Sequence, residues 1–352
     1  MRIGLAGAGR IGAFHATTLA SLEGVHEVVV GDSRPEFADA AAAALPCARA
    51  VDVEALIGSG VDALVIATST PGHAPLLRAA VAAGLPTFCE KPVAGTLAET
   101  VDVVRVVEAS AVPVHIGFQR RFDPGYRRAR DAVWSGELGF VHTLRANTSD
   151  RRPPEPGYVP TSGGIFRDCS VHDCDAVRFV TGREVVRAYA IGGTKGETFF
   201  PEAGDVDSGA ALLTLDDGTI ALLSTTRYNG QGHDVRLEVL GSQGSVAVGL
   251  DDSLALRSLE DGVDFPRGPV HDSFMDRFAP AYRAELTHFL RVARGEVPSP
   301  CTVRDALEAF RVAEACTLSL QQRRPVDLTE VPTTRTPDDS RPATRDPRPP
   351  TR

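Results

Sequence analysis

This chain lacks the positive charge that a nucleic-acid surface needs. It carries 37 Lys and Arg against 46 Asp and Glu, a formal net charge of −9, and neutralising phosphates takes clustered Lys and Arg. Its Arg-rich stretch, residues 120–130, is local and interleaved with Asp123 and Asp131. It also lacks an apolar run of membrane length. The opening MRIGLAGAGRIG is too rich in Gly and too soon polar for a membrane span or the apolar core of a signal peptide. Its six cysteines, at 47, 89, 169, 174, 301 and 316, form neither a CxxC pair nor a disulfide framework. There are no internal repeats. These absences leave a globular, cytoplasmic protein as the expectation, with no nucleic-acid or membrane partner.

The 352 residues exceed one average core, so two domains are expected. In the first 118 residues, the strand candidates RIGLAG, HEVVVGD, DALVIAT, PTFCEK and PVHIGF alternate with helical stretches. Strand, helix and strand repeated in this way imply parallel strands joined by crossover helices, an α/β arrangement. Beyond residue 118 the pattern changes. FVHTLRANTS, EVVRAYAIGG, SGAALLTL, TIALLSTTR, HDVRLEVLG and SVAVGL read as strands, with DDGT and GSQGS as hairpin turns. Val235, Leu237 and Val239 alternate with Arg236 and Glu238, the period of a sheet with one covered face. Helices at about 166–181, 277–294 and 303–321 are expected to cover it. The expected division is an α/β domain over 1–118, an α+β domain over 119–330, and a disordered, dispensable tail over 331–352. That tail is rich in Pro, Arg and Thr and has too little apolar surface to offset chain entropy.

GAGRIG sets Gly7, Gly9 and Gly12 in the spacing GxGxxG after a strand and at the start of a helix. Gly7 permits a tight turn, Gly9 lets the backbone approach a pyrophosphate, and Gly12 allows close helix–strand packing. The helix N-terminus, through Arg10 and Ile11, offers amide donors to the phosphates. Asp32 closes the second strand, where a carboxylate would accept hydrogen bonds from the adenosine ribose. It favours NAD over NADP, although Arg34 nearby could pair with a 2′-phosphate. Thr68, the last residue of DALVIAT, and Glu90 and Lys91, after PTFC, complete the cofactor candidates. Lys91 ends a strand at the ligand-binding edge of such a sheet and is a candidate for polarising a substrate oxygen. A solvated surface lysine is the plain alternative.

GGIFRDCSVHDCD, residues 163–175, supports three readings. If a helix starts near Asp168, Asp168 and His172 lie on one face, and the carboxylate can fix the tautomer of a general base. Gly163 and Gly164 would let backbone come close to a cofactor or substrate. A metal site would use Cys169, His172 and Cys174, but on a helix both cysteines point away from His172 and no fourth ligand is near, so no metal is expected. In the third reading Asp168 is an N-cap and His172 a buried structural side chain.

Taken together, GAGRIG at 7–12, EKP at 90–92, GFQRRFDPGY at 117–126 and SGGIFRDCSVHDCD at 162–175 resemble the Gfo/Idh/MocA oxidoreductases, over about residues 1–325. The motifs are specific in combination and not singly. The resemblance implies a Rossmann domain followed by an α+β domain with a large, mainly antiparallel open sheet, which commonly forms the contact of a homo-oligomer, a dimer or tetramer. From the inositol 2-dehydrogenase-like branch it implies Lys91, Asp168 and His172 as the catalytic set: His172 the base, Asp168 its partner, Lys91 the group that binds the reacting oxygen. It implies a cis Lys91–Pro92 bond and makes Arg120 a substrate-side candidate. Asn147 and Tyr228, at the ends of candidate strands, are weaker ones. His15 is read as structural. The expected function is oxidation of a secondary hydroxyl of a cyclic polyol or sugar, inositol-like, by hydride transfer to NAD, with NADP as the other possible cofactor. An NAD-dependent glycoside hydrolase on the same fold and a non-catalytic dinucleotide-binding sensor are the alternatives. A sensor that had lost catalysis would lack the Lys or His that this chain keeps.

Overall fold

A computed structural model describes residues 1–331, so the expectation for the tail lies outside the described residues apart from Val331. The chain forms two compact units. The first comprises Met1–Asp123 and Phe274–Phe310; the second comprises Pro124–Ser273 and the chain from Arg311 on. This division by contacts differs from the contiguous one expected at 118/119. The helix Phe274–Ala293 returns to the first unit, where its Leu286, Phe289, Leu290 and Val292 join one core with Ile3, Leu5, Leu19, Val28, Val30 and Phe88. Hydrophobic periodicity announces such a helix but not the sheet it covers.

In the first unit six parallel strands lie in the order β3-β2-β1-β4-β5-β6. They are β1 Arg2–Ala6, β2 Glu27–Asp32, β3 Ala48–Asp52, β4 Ala63–Ile66, β5 Thr87–Glu90 and β6 Val114–Gly117. This is the doubly wound dinucleotide-binding order, with its switch point between β1 and β4. β1, β4, β5 and β6 are almost wholly buried because crossover helices cover both faces. Four helices, Arg10–Ala20, Pro35–Ala43, His73–Ala82 and Leu97–Glu108, fall where the sequence puts them. Thr96 caps the last, its side chain accepting from the Glu99 amide at 3.2 Å. β3 was not expected. It is a half-buried edge strand whose ARAVD carries Arg49 and little of the apolar signal that marks a central strand.

The second unit holds a seven-stranded sheet in the order β12-β11-β7-β10-β9-β8-β13. Its strands are β7 Val141–Ser149, β8 Val185–Gly193, β9 Ser208–Leu215, β10 Ile220–Thr226, β11 Asp234–Gly241, β12 Ser245–Val248 and the two-residue β13 Val326–Asp327. All neighbours are antiparallel except β7 and β10, which pair in parallel from Thr143↔Ile220 to Ser149↔Thr226. Both expected hairpins form, β9–β10 through DDGT and β11–β12 through GSQGS. Gly218 takes φ +88° in the first. One face carries Leu144, Ala146, Leu213, Ala221, Leu223, Leu237 and Val239, all buried. The helices Pro124–Trp134 and Val171–Thr181 pack in this unit, and Trp134 Nε1 donates to the Val180 carbonyl at 3.0 Å. The helix Pro124–Trp134 was not among the expected elements.

The first unit also buries a histidine that has given up its charge. His115, at the centre of β6, is fully buried between aromatic rings, stacking on Phe88 at 5.5 Å. Burial, then His288 and Arg121, pulls its pKa from 6.5 to about 3, with Asp305 opposing. An unfolded chain accepts a proton near pH 6.5 that folded His115 refuses, so stability is full at neutral pH and falls as pH drops below about 6.5. The loss from this group is roughly 2 kcal/mol by pH 5. Urea unfolding at pH 7.5 and pH 5 should therefore show a larger acid loss in the wild type than in His115→Gln. Equal losses would remove His115 as the cause.

Candidate active site

In the first unit the candidate residues follow the C-terminal ends of β1, β2, β4 and β5. The glycines of the first turn divide the work as their spacing predicts. Gly7 has φ +94°, and an added Cβ would lie 2.6 Å from the Ala67 carbonyl oxygen and the Thr68 amide. A Cβ on Gly12 would lie 2.0 Å from the Gly7 carbonyl oxygen, so helix Arg10–Ala20 can approach β1 only if this residue is Gly. A Cβ on Gly9 meets no protein atom within 4 Å, which leaves the helix N-terminus open to a ligand. Arg10 is exposed there and Ile11 half-buried. Asp32 accepts from the Ala8 amide at 2.7 Å and the Arg34 amide at 2.9 Å, so the second strand braces the glycine turn. The Arg34 guanidinium lies over the Phe37 ring, 3.8 Å from its centre. An open helix N-terminus with an adjacent carboxylate fits a dinucleotide: Gly7–Gly12 would hold the pyrophosphate and Asp32 the ribose.

Thr68 is half-buried, and its carbonyl lies 3.0 Å from His73 Nε2. His73 Nδ1 lies 2.7 Å from the Pro92 carbonyl. His73 thereby ties the turn after β4 to the turn that carries Lys91. Lys91 is half-buried, and its bond to Pro92 is cis, as the resemblance implies. The Glu90 carboxylate lies 2.6 Å from Nε2 of the fully buried His15 and close over Gly117. It thus sits among protein side chains, although the sequence made it a cofactor candidate. Arg120 is buried in the turn Gln119–Phe122 with its guanidinium 5.7 Å from the centre of the Phe278 ring.

In the second unit the segment that precedes His172 is not the simple helix start expected. Phe166–Ser170 is a π-helical turn, and the α-helix begins at Val171. Asp168 sits inside that turn, so it is not an N-cap. Single π turns interrupt helices frequently at functional sites, and no sequence period reveals them. Gly163 and Gly164 precede the turn with φ +82° and +93°. Asp168 Oδ2 accepts from Arg227 Nη2 at 2.7 Å, and Oδ1 accepts from the Tyr158 hydroxyl at 2.9 Å. Arg227 Nη1 also donates to Asp150 Oδ2 at 3.1 Å, and His233 Nδ1 lies 3.5 Å from Asp150 Oδ1.

Burial works against the Arg227 charge, but Cys169, Asp168 and Asp150 outweigh it and hold the guanidinium's pKa above its usual value. Burial likewise opposes the Asp150 charge, yet His233 and Arg227 keep that carboxyl below the usual range. Burial, then Asp168, pushes the Tyr158 phenol up, so it stays a donor. His172 is half-buried. Asn147 donates to Asp234 Oδ2 at 3.0 Å, and Tyr228 accepts from the Glu197 amide at 3.1 Å.

Sequence reasoning missed Arg227, Asp150, Tyr158 and His233. A signal existed for two of them: Asp150 and Arg227 are the charged residues immediately after β7 and β10, two of the expected strands. Among the described residues no group of three or more His, Cys, Asp or Glu could hold a metal, and none of the helices is long and apolar enough to cross a membrane.

Comparison with known proteins bears on both units. Residues 1–118 match the family model for the oxidoreductase family NAD-binding Rossmann fold, and residues 126–247 match that for the GFO/IDH/MocA C-terminal domain. A myo-inositol dehydrogenase of Streptomyces leeuwenhoekii is 38% identical over 90% of this chain and 96% of its own. An inositol 2-dehydrogenase of Rhizobium meliloti (strain 1021) is 34% identical over 93% and 99%. The crystal structure of scyllo-inositol dehydrogenase from Lactobacillus casei with bound NAD(H) and scyllo-inositol superposes with a TM-score of 0.84, at 26% identity over 94% of this chain and 98% of that one. The chain belongs to the Gfo/Idh/MocA oxidoreductase family. Its cofactor is NAD, bound by the Rossmann domain.

The Asp32 carboxylate opposes a 2′-phosphate, so kcat/KM should favour NAD over NADP by about tenfold or more, about 1.4 kcal/mol of transition-state discrimination. Asp32→Ala should narrow the gap. Equal efficiencies in the wild type would show that the Arg34 charge dominates there.

Proposed function

We propose that the protein is an NAD-dependent dehydrogenase that oxidises a secondary hydroxyl of a cyclic polyol of the inositol class, with His172 as the proton acceptor. The observation that carries this reading is Asp168, a carboxylate held between Arg227 and Tyr158 four residues ahead of His172. The other unit of the chain carries the open glycine turn of a dinucleotide site. The inositol dehydrogenase relatives support the polyol.

When bound, NAD would supply the acceptor for the hydride that leaves the substrate carbon. His172 takes the hydroxyl proton as the carbon–oxygen double bond forms, so the proton and the hydride leave the two ends of one bond. Asp168 stabilises the imidazolium that results. Lys91 offers positive charge to the reacting oxygen, which carries developing negative charge as the proton departs. Gly7–Gly12 and Asp32 would hold and orient the cofactor.

His172→Ala should lower kcat by about 10²- to 10⁴-fold while NAD affinity changes little. Oxidation by the wild type should fail at low pH, as His172 becomes protonated and can no longer accept the substrate proton. A stable His172→Ala protein with near-normal kcat would sink the assignment.

The reading extends to a homo-oligomer, a dimer or tetramer, and to a cytoplasmic location. All six cysteines are free, and five of them are buried. The face of the second unit's sheet opposite its core supports the oligomer. Across it run Tyr189, Leu212, Leu222, Arg145 and Glu238, each opposite the next. Tyr189, Leu212 and Leu222 are 41%, 45% and 43% exposed, and Ile191 beside them is 57% exposed. Contiguous exposed apolar surface of this kind marks an interaction site. Leu222→Glu should reduce the mass measured by light scattering with little change in melting temperature, and an unchanged mass would take this face out of the interface.

A further inference from the structure

We propose that Arg227 and Tyr158 are positioning residues for the reaction: together they fix the orientation and the charge of Asp168, and through it they set the pH at which His172 gains its proton. The proposal rests on His172 being the base.

Arg227 is 4% exposed and spans two carboxylates, with one terminal nitrogen on Asp168 and the other on Asp150. A guanidinium is planar and rigid, so this double attachment fixes both acids relative to one plane. Tyr158 holds the second Asp168 oxygen from a separate segment, the turn ahead of residues 159–162. Asp168 is therefore gripped at both oxygens by groups from different parts of the chain.

The charges facing Asp168 can be named. Arg227 comes from the end of β10, the Tyr158 hydroxyl from the segment before the π turn, and Cys169 is the next residue. Asp150, from the end of β7, pairs with Arg227, and His233, at the start of β11, lies against Asp150. Arg167, beside Asp168 in the chain, is engaged by Glu314, with Nε 2.6 Å from Oε2. His172 follows four residues on. Asp150, Asp168 and Arg227 sum to one net negative charge. Without Arg227 the sum is two, and every nearby group then binds its proton more tightly. Losing the Tyr158 hydroxyl acts in the same direction more weakly, because the Asp168 charge is then less neutralised.

The test compares Arg227→Gln, Arg227→Lys, Tyr158→Phe and His172→Ala. Thermal unfolding, NAD affinity by fluorescence, and kcat and kcat/KM for myo-inositol across pH are measured on the same preparations. The acidic limb of kcat/KM should move up by roughly one pH unit in Arg227→Gln, and by less in Tyr158→Phe. In Arg227→Lys it should return toward its wild-type position, because charge is kept although the double grip is lost. The kcat of Tyr158→Phe should fall roughly tenfold or more at unchanged NAD affinity, the effect of a misoriented partner.

Tyr158 is 45% exposed, so its phenylalanine variant should fold even if Arg227→Gln does not. A Tyr158→Phe protein with wild-type kcat and wild-type limb overturns the proposal. So does an Arg227→Gln protein whose only change is a lower melting temperature. If His172→Ala is inactive while the other variants behave as wild type, the base assignment stands and the positioning role alone is lost. If His172→Ala remains active, the base assignment falls and this proposal falls with it.

Discussion

One parallel pairing organises the chemistry of the second unit. In a sheet whose other neighbours are antiparallel, β7 and β10 run the same way and stop together, at Ser149 and Thr226. Parallel strands end at one edge, so the residues that follow them, Asp150 and Arg227, emerge side by side and pair at 3.1 Å. The Asp150 amide donates to the Thr226 carbonyl at 2.9 Å, which extends the ladder one step into the pair. Arg227 can then reach Asp168 in the π turn. An antiparallel β7–β10 pairing would have sent the two residues to opposite edges, and Asp168 would have lost its cation.

The first unit uses the same principle throughout. All its strands are parallel, so the glycine turn, Asp32, Thr68 and Lys91 follow the C-terminal ends of β1, β2, β4 and β5 at one edge. Brackets between the turns keep them in register. Asp32 is bonded to the Ala8 and Arg34 amides, and His73 bridges the Thr68 and Pro92 carbonyls. Below that edge, His15 and Glu90 form a buried pair between Phe88 and Tyr282, which separates the functional edge from the core.

The sequence discloses what repeats or what only glycine can do. The alternation of Val235, Leu237 and Val239 marked β11, and Gly7 and Gly12 marked a turn in which a Cβ has no room. It concealed features that depend on distant partners. β3 carries Arg49 at a half-buried edge, so its apolar signal is faint. The helix Phe274–Ala293 is amphipathic, but its pattern does not say that the covered sheet lies some 280 residues earlier in the chain, at Ile3 and Leu5. Asp168 was legible as a candidate because it stands four residues before a histidine. Its real partners, Arg227 and Tyr158, lie 59 and 10 residues away, and no spacing rule connects them.

The π turn at Phe166–Ser170 has a geometric consequence. A π turn accommodates one residue more than an α turn of the same height, so it acts as an insertion stored within a helix. Each residue of an α-helix advances the direction of its side chain by about 100°. Deleting one residue from this turn would let the helix run through with the segments on either side in place, so the change of direction would fall on the residues of the turn itself. Asp168 would swing out of reach of Arg227 and Tyr158 with no change in its chemistry. The orientation of the acid is thus encoded by chain length at one turn, and a family member could change it without a single substitution at the site.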